Sequence, residues 1–259
     1  MLRFVINLDR FPERWQAMQE RLEKFGLTAE RISAVDGRNL SEKKRKNWVP
    51  ALDDISKINC PREILPGEIG CFLSHRLCWQ KLVDSNDDWA LVLEDDIELS
   101  DRSINYIADT NWIPENIHLV QLHIWGRSWS SRVSRHKIQL ATGDWLLKPI
   151  HPPALGTQAY LISKIAAKEA LRLSNTLPCP VDNFLSGIYS SFAKKFATYR
   201  LNPAVVTTTD LPSSINAKNI IKALPYSPKI KNHPLRRWMK LKHQIYYSLY
   251  TKKETFIFK

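Results

Sequence analysis

Two short apolar segments flank one amphipathic stretch at the start of the chain, and this arrangement restricts the fold more than any other feature. Phe4-Val5-Ile6-Asn7-Leu8 reads as a short buried strand. Asp9-Arg10-Phe11-Pro12 then reads as a turn into a helix, since proline is tolerated in a first helical turn. Trp15, Met18, Leu22 and Phe25 recur at helical spacing, and Gly26 is placed to end the helix. The segment from Glu30 to Val35 supplies the next strand, closing at Asp36-Gly37. A strand, a crossover helix and a second strand predict parallel pairing, and with it an α/β sheet.

Residues 38–65 are polar and rich in lysine, and read as a surface loop with a short helix. Pro66-Gly67-Glu68-Ile69 opens a stronger helix that carries Ile69, Phe72, Leu73, Leu77, Trp79 and Leu82. After the turn at 84–88 comes Trp89-Ala90-Leu91-Val92-Leu93, a continuous apolar strand of the kind buried on both faces. It runs directly into Glu94-Asp95-Asp96. Further strands are expected at His118–His123, Trp145–Pro149 and Gln158–Ser163, with a helix from about Lys164 to Leu173. Pro178-Cys179-Pro180 breaks the chain before Val181-Asp182-Asn183-Phe184.

Charge divides the chain. With 38 basic and 26 acidic residues among 259, the net charge is +12, which predicts an anionic partner. Residues 229–259 hold nine Lys and Arg against the single acid Glu254, so most of the excess lies there. The expected division is a domain over 1–224 and a basic tail over 225–259. Trp238, Leu241, Ile245 and Leu249 repeat at helical spacing among the basic residues, with Tyr246, Tyr247 and Tyr250 nearby. Such a basic amphipathic helix suits an anionic membrane surface, or packs its stripe on the domain. A nucleic-acid-binding module is the alternative, yet the charge sits in one tail and no helix-turn-helix, RRM or finger pattern appears, so no nucleic acid is expected.

No apolar run approaches the roughly 18 residues that cross a bilayer. The opening residues meet Asn7 and Asp9 too soon for a signal peptide, so a cytoplasmic protein is expected, peripheral on the inner membrane face if the tail binds there. Cys60, Cys71, Cys78 and Cys179 form no C-x-x-C pair and read as buried reduced thiols.

Glu94-Asp95-Asp96 is the most informative triplet. Adjacent carboxylates repel one another, and the carboxyl edge of an open α/β sheet is where ligands bind. A hard divalent cation, held by carboxylates plus substrate phosphates, would neutralise them; the plainer reading is a solvated acidic turn. Asp182 either caps the helix beginning beside it or serves as a general base reaching in from a loop. Asn7, Arg10, Arg14 and Asp36 gather at the ends of the first two strands, a set suited to a nucleotide's phosphate and base. His75 reads as a substrate contact or a hydrogen-bonded core residue, having no second His at metal-ligand spacing. Trp125 and Trp129 are candidates for a sugar-stacking platform.

These blocks together resemble glycosyltransferase family 25, the family of bacterial lipooligosaccharide galactosyltransferases related to procollagen galactosyltransferases. The residues that carry the resemblance are Val5-Ile6-Asn7-Leu8-Asp9-Arg10 with Arg14, Ala34-Val35-Asp36-Gly37, and Gly67-Glu68-Ile69-Gly70-Cys71-Phe72-Leu73-Ser74-His75. Leu91-Val92-Leu93-Glu94-Asp95-Asp96-Ile97, Gly156-Thr157-Gln158-Ala159-Tyr160-Leu161-Ile162-Ser163 and Pro180-Val181-Asp182 complete it. The resemblance implies a Rossmann-like GT-A fold, a UDP-sugar donor and inverting transfer of galactose or a related hexose to a lipid-linked oligosaccharide. It implies that Asp96 is the direct Mn²⁺ or Mg²⁺ ligand, with Glu94 and Asp95 beside it. Thr207-Thr208-Thr209-Asp210 departs from the expected pattern and leaves the third metal contact unassigned.

Overall fold

The computed structural model describes residues 1–49, 62–188, 190–209, 241 and 249–259. In chain order the strands are β1 (Leu2–Asn7), β2 (Glu30–Ser33), β3 (Trp89–Glu94), β4 (Ile97–Leu99), β5 (Leu119–Gln121), β6 (His123–Ile124) and β7 (Ser128–Ser134). They continue with β8 (Ile138–Gln139), β9 (Trp145–Leu147), β10 (Pro149–His151), β11 (Ala159–Ser163), β12 (Tyr199–Asn202), β13 (Val206–Thr208) and β14 (Thr251–Ile257). The helices are α1 (Pro12–Glu23), α2 (Glu42–Trp48), α3 (Pro66–Asp84), α4 (Ile104–Ile107), α5 (Lys164–Leu173), α6 (Val181–Ser186) and α7 (Ser191–Lys195).

An eight-stranded sheet in the order β2-β1-β3-β11-β5-β12-β9-β8 forms the centre. β1 pairs in parallel with both β2 and β3, as the opening strand–helix–strand pattern requires. β11 runs antiparallel between β3 and β5, and β12 pairs in parallel with β5. The carboxyl ends of β1, β2, β3 and β5 therefore share one edge with the amino end of β11.

Alternation along β3 divides the core into two layers. Ala90 and Val92 pack with α3 and α5 through Phe72, Trp79, Leu82, Ala166 and Ala170. Leu91 and Leu93 pack on the other face with Met18 and Leu22 of α1 and with Tyr106 and Val206. Every one of these residues is essentially out of water. Fully burying one such Leu or Val side chain stabilises by about 1.5–3 kcal/mol, so β3 is a stiff platform for the acidic turn at its carboxyl end. The α/β class expected from the sequence stands.

The first turn of α3 explains Gly70 of the Gly67-Glu68-Ile69-Gly70 run. Pro66 opens the helix, and Glu68 accepts a hydrogen bond from the Leu65 N–H at 2.8 Å while pairing with Arg62 at 2.6 Å. A Cβ on Gly70 would strike the Val35 carbonyl oxygen, and one on Gly37 the Pro66 carbonyl oxygen. This backbone-to-backbone contact presses the helix start against the loop that carries Asp36. Leu77, expected on the apolar face, is 42% exposed instead.

Two expectations are corrected by the sheet pairing. Trp145–Pro149 is not one strand: β9 joins the large sheet through β12, whereas β10 pairs with β7. The segment over 225–259 is not a separate tail throughout, because Thr251–Ile257 forms β14, paired along its length with β7. Phe256 is buried against Trp129 at 5.1 Å, whereas Lys252 and Lys253 are exposed. The expected helical stripe at Trp238 and Ile245 lies outside the described residues. Leu249 and Tyr250 are more than half exposed. No described helix is long and apolar enough to cross a membrane.

Candidate active site

The shared sheet edge opens into a cavity of about 390 Å³. Arg10, Arg14, Asp36, His75, Glu94, Asp95 and Asp96 all line it, so seven of the nine site residues expected from the sequence converge. Asn7 and Asp182 do not line it.

The acid triplet occupies the tight turn from β3 into β4. Glu94 accepts a hydrogen bond from the Thr157 hydroxyl at 2.7 Å, and its own N–H donates to the Gln158 carbonyl at 2.8 Å. Asp95 is buried and accepts from the Asn7 amide at 2.6 Å, with the Arg14 guanidinium 3.5 Å away. Burial raises its pKa, opposed by that hydrogen bond and that cation. Asp96 has one buried carboxylate oxygen, Oδ1, without a hydrogen-bond partner. Burial, then the charges of Glu94 and Asp95, push its pKa up to about 7.

The Thr207-Thr208-Thr209 segment acquires a role at this turn. Thr209 donates to the Asp96 carbonyl from its N–H at 2.8 Å and its hydroxyl at 3.1 Å, while β13 pairs with β4. The departure from the family pattern thus clamps the triplet's backbone. Asp210 lies outside the described residues.

Across the cavity, Asp36 sits in the loop after β2 with Arg10 and Arg38 paired to it. Burial would raise its pKa, but the hydrogen bonds from Arg38 and the charge of Arg10 outweigh it and hold the carboxyl below its usual range. Arg14, which residue type alone would put in solvent, is buried over the Phe11 ring at 4.5 Å. Asn7 stands behind the cavity wall without lining it. Its amide donates to Asp95 and to the Phe11 carbonyl, and Arg31 donates to its oxygen at 2.7 Å, so it orients Asp95.

On α3, Cys71 and His75 are one turn apart and both line the cavity. His75 is fully buried, with Nδ1 2.9 Å from the Tyr160 hydroxyl and Nε2 3.6 Å from Glu94 Oε1. Of the two readings expected for it, this position shows the hydrogen-bonded core residue. Burial, then the charges of Glu94, Asp182, Glu68 and Asp96, raise the Cys71 thiol well above its ordinary pKa.

Asp182 sits in the first turn of α6 instead of at its N-cap, which Pro180 occupies. Its carboxylate accepts from the Asn183 N–H at 2.7 Å and from the Gly156 N–H. Burial raises its pKa against those hydrogen bonds. Gly156, at φ +93, is required there: a Cβ would crowd Gln158, His123 and Trp125. Residues 156–158 consequently tie Asp182 to Glu94. Trp125 is 53% exposed beside Gly156, but Trp129 is occupied under Arg200 and against Phe256, so the two indoles form no joint platform. Thr157, Tyr160 and Thr209 are the site residues that sequence reasoning misses; the only signal for the first two is the resemblance block that contains them.

The triplet suits a hard divalent cation. Its donors are carboxylate oxygens, and the partnerless buried Asp96 oxygen is the kind of atom that a cation satisfies.

The description of glycosyltransferase family 25 (LPS biosynthesis protein) matches residues 1–185. A family member from Anopheles gambiae is 34% identical over 191 residues, covering 70% of this chain and 30% of that protein. Procollagen galactosyltransferase 2 of Mus musculus is 35% identical over 95 residues, 36% of this chain and 15% of its own. A Bos taurus protein named probable inactive glycosyltransferase 25 family member 3 is 30% identical over 190 residues, 70% of this chain and 30% of its own. The chain thus spans less than a third of these relatives' length. Among solved structures, a glycosyltransferase involved in glycosylation of the major capsid of PBCV-1 has a TM-score of 0.37 at 12% identity, over 82% of this chain and 95% of that one. Galactosyltransferase LgtC has 0.35 at 11%, over 94% and 96%. Likeness this distant says nothing about residues or activity. The match over residues 1–185, together with the 34% identity to the mosquito protein, is decisive: this chain belongs to glycosyltransferase family 25.

Proposed function

We propose that the cavity binds a UDP-sugar and that the protein transfers a hexose, galactose in the first instance, to an acceptor hydroxyl with inversion. Family membership makes glycosyl transfer the reaction class. The observation that carries the finer reading is the union of Glu94, Asp95 and Asp96 with Arg10, Arg14 and Asp36 around one cavity at the sheet's carboxyl edge.

Asp96, with Glu94 and Asp95 beside it, would hold Mn²⁺ or Mg²⁺, which when bound supplies Lewis-acid stabilisation of the departing diphosphate. Arg10 and Arg14 add charge-assisted hydrogen bonds to phosphate oxygens. Asp36 and the backbone at Gly37 accept from and donate to the nucleoside. Asn7 and Thr157 keep Asp95 and Glu94 oriented, so little reorganisation is needed as charge develops on UDP. Asp182 takes the proton from the acceptor hydroxyl while that oxygen attacks the anomeric carbon from the face opposite UDP. A carboxyl pKa raised by burial makes it a stronger base for that step.

The acceptor we propose is a lipid-linked oligosaccharide, with residues 229–248 meeting an anionic cytoplasmic membrane face. The exposed Leu249 and Tyr250 and the basic run before them support this. Animal relatives, one of them named for procollagen, make a procollagen-type peptide the comparison acceptor. A panel of UDP-galactose, UDP-glucose and UDP-N-acetylhexosamines, with and without Mn²⁺, tests the reading. Metal-dependent turnover of one donor is expected. No donor turnover and no UDP binding would place this chain with the relatives named inactive.

A further inference from the structure

Among the described residues, one group of three side chains other than the acid triplet converges in metal-ligand fashion: Cys71, His75 and Glu94, whose ligand atoms all lie within 4.8 Å of one another. Cys71 and His75 project from one face of α3, and Glu94 meets them from the end of β3. His75 is fully buried, and its Nε2 has no hydrogen-bond partner while aimed toward Glu94. Such an atom in a native interior calls for a ligand.

We propose that Cys71 Sγ, His75 Nε2 and a Glu94 carboxylate oxygen form a site for a thiophilic divalent ion, Zn²⁺ by class, separate from the hard-cation position at Asp96. The surrounding bonds prepare that donor set. The Tyr160 hydroxyl lies 2.9 Å from His75 Nδ1 and accepts from Trp79 Nε1 at 2.9 Å. With the imidazole proton on Nδ1, Tyr160 accepts both bonds and Nε2 presents its lone pair to the ion. Thr157 fixes Glu94 by donating to Oε1, the same oxygen that faces His75 Nε2. Thiolate with imidazole selects Zn²⁺ or Co²⁺, whereas Mg²⁺ and Mn²⁺ prefer all-oxygen sites. Three protein ligands leave the fourth position open to the cavity.

On binding, the Cys71 S–H bond breaks, its proton passes to solvent and a sulfur–metal bond forms, with no change of oxidation state. Because Glu94 lines the nucleotide cavity too, the ion would compete with the UDP-sugar. That consequence rests on the proposed function; the metal site itself does not.

Cobalt titration of the chelator-treated full chain tests the site. The expected result is one Co²⁺ per chain, with a thiolate-to-cobalt charge-transfer band and visible bands of tetrahedral intensity, both displaced by Zn²⁺. Cys71→Ser should abolish the charge-transfer band and His75→Gln should weaken Co²⁺ affinity about tenfold or more. Cys78→Ala, changed two helical turns away, should keep the band. Absence of the band in the native protein, or its persistence in Cys71→Ser, overturns the proposal. If Cys71→Ser fails to fold by circular dichroism, alkylation of the native protein decides instead. Zn²⁺ should slow iodoacetamide modification of Cys71 at least tenfold, and an unchanged rate overturns the site. UDP binding measured with Mn²⁺ separates either failure from that of the donor reading.

Discussion

Asp95 shows how a single buried carboxylate is made useful: Asn7 holds it by a 2.6 Å hydrogen bond and Arg14 balances its charge. Asp182 is held otherwise, by two backbone N–H groups, and the proposed base role separates from a merely structural one by kinetics. Asp182→Asn should lower turnover about 100-fold or more while leaving UDP affinity nearly intact. Loss of both together would mark Asp182 as a binding or packing residue. His123 carries a different consequence. Burial, then the charge of Arg200, lower its pKa from 6.5 to about 3, so the folded protein keeps it neutral while the unfolded chain protonates near 6.5. Between those values the unfolded state binds more protons, so stability falls as pH drops from about 6.5. By pH 5 the loss is about 2 kcal/mol from this residue. His123→Asn, whose amide can still donate to Ala159, should flatten the fall in Tm between pH 6.5 and 4.5. An equally steep slope in the variant would contradict the assignment.

At the scale of elements, the contact between α3 and the loop after β2 decides whether the cavity exists. Gly70 lies against the Val35 carbonyl with no room for a methyl group. Gly70→Ala should destabilise by about 1–3 kcal/mol in urea unfolding and weaken UDP binding by displacing Asp36. Unchanged stability would show that the helix start tolerates displacement. Much of this arrangement is legible in the residues. The β1–α1–β2 unit, the α5 bounds and β3 follow from apolar periodicity, because burial on both faces leaves a continuous apolar run. The convergence of Arg10, Arg14, Asp36 and the acid triplet follows from their place after parallel strands. Asn7 misleads, since an amide at a strand end looks alike whether it meets a ligand or a neighbouring carboxylate. Thr157 and Thr209 escape notice because their roles depend on pairings distant in sequence, β11 with β3 and β13 with β4. The split between β9 and β10 is equally hidden, as one short apolar run serves two sheets.

Over the whole molecule, charge and fold divide at different places. The basic excess begins near residue 229, yet β14 returns to the domain and pairs with β7, and Ala204 donates to the Ile257 carbonyl at 2.8 Å. Neutralising Arg236, Arg237, Lys240 and Lys242 should release the protein from anionic vesicles without lowering Tm. Deleting 251–259 should lower Tm by stripping a strand from Phe256 and Trp129. Unchanged vesicle binding in the first variant would remove the membrane reading, and an unchanged Tm in the second would deny β14 its structural part. The central claim is that the acid triplet, Arg10 and Arg14 form one nucleotide site. Calorimetric titration of UDP in the presence of Mn²⁺ measures this most directly, comparing the native protein with Asp96→Asn. The account predicts saturable Mn²⁺-dependent binding to the native chain, weakened at least about tenfold in the variant, or about 1.4 kcal/mol. Equal UDP affinity in both proteins, or none in either, would contradict it.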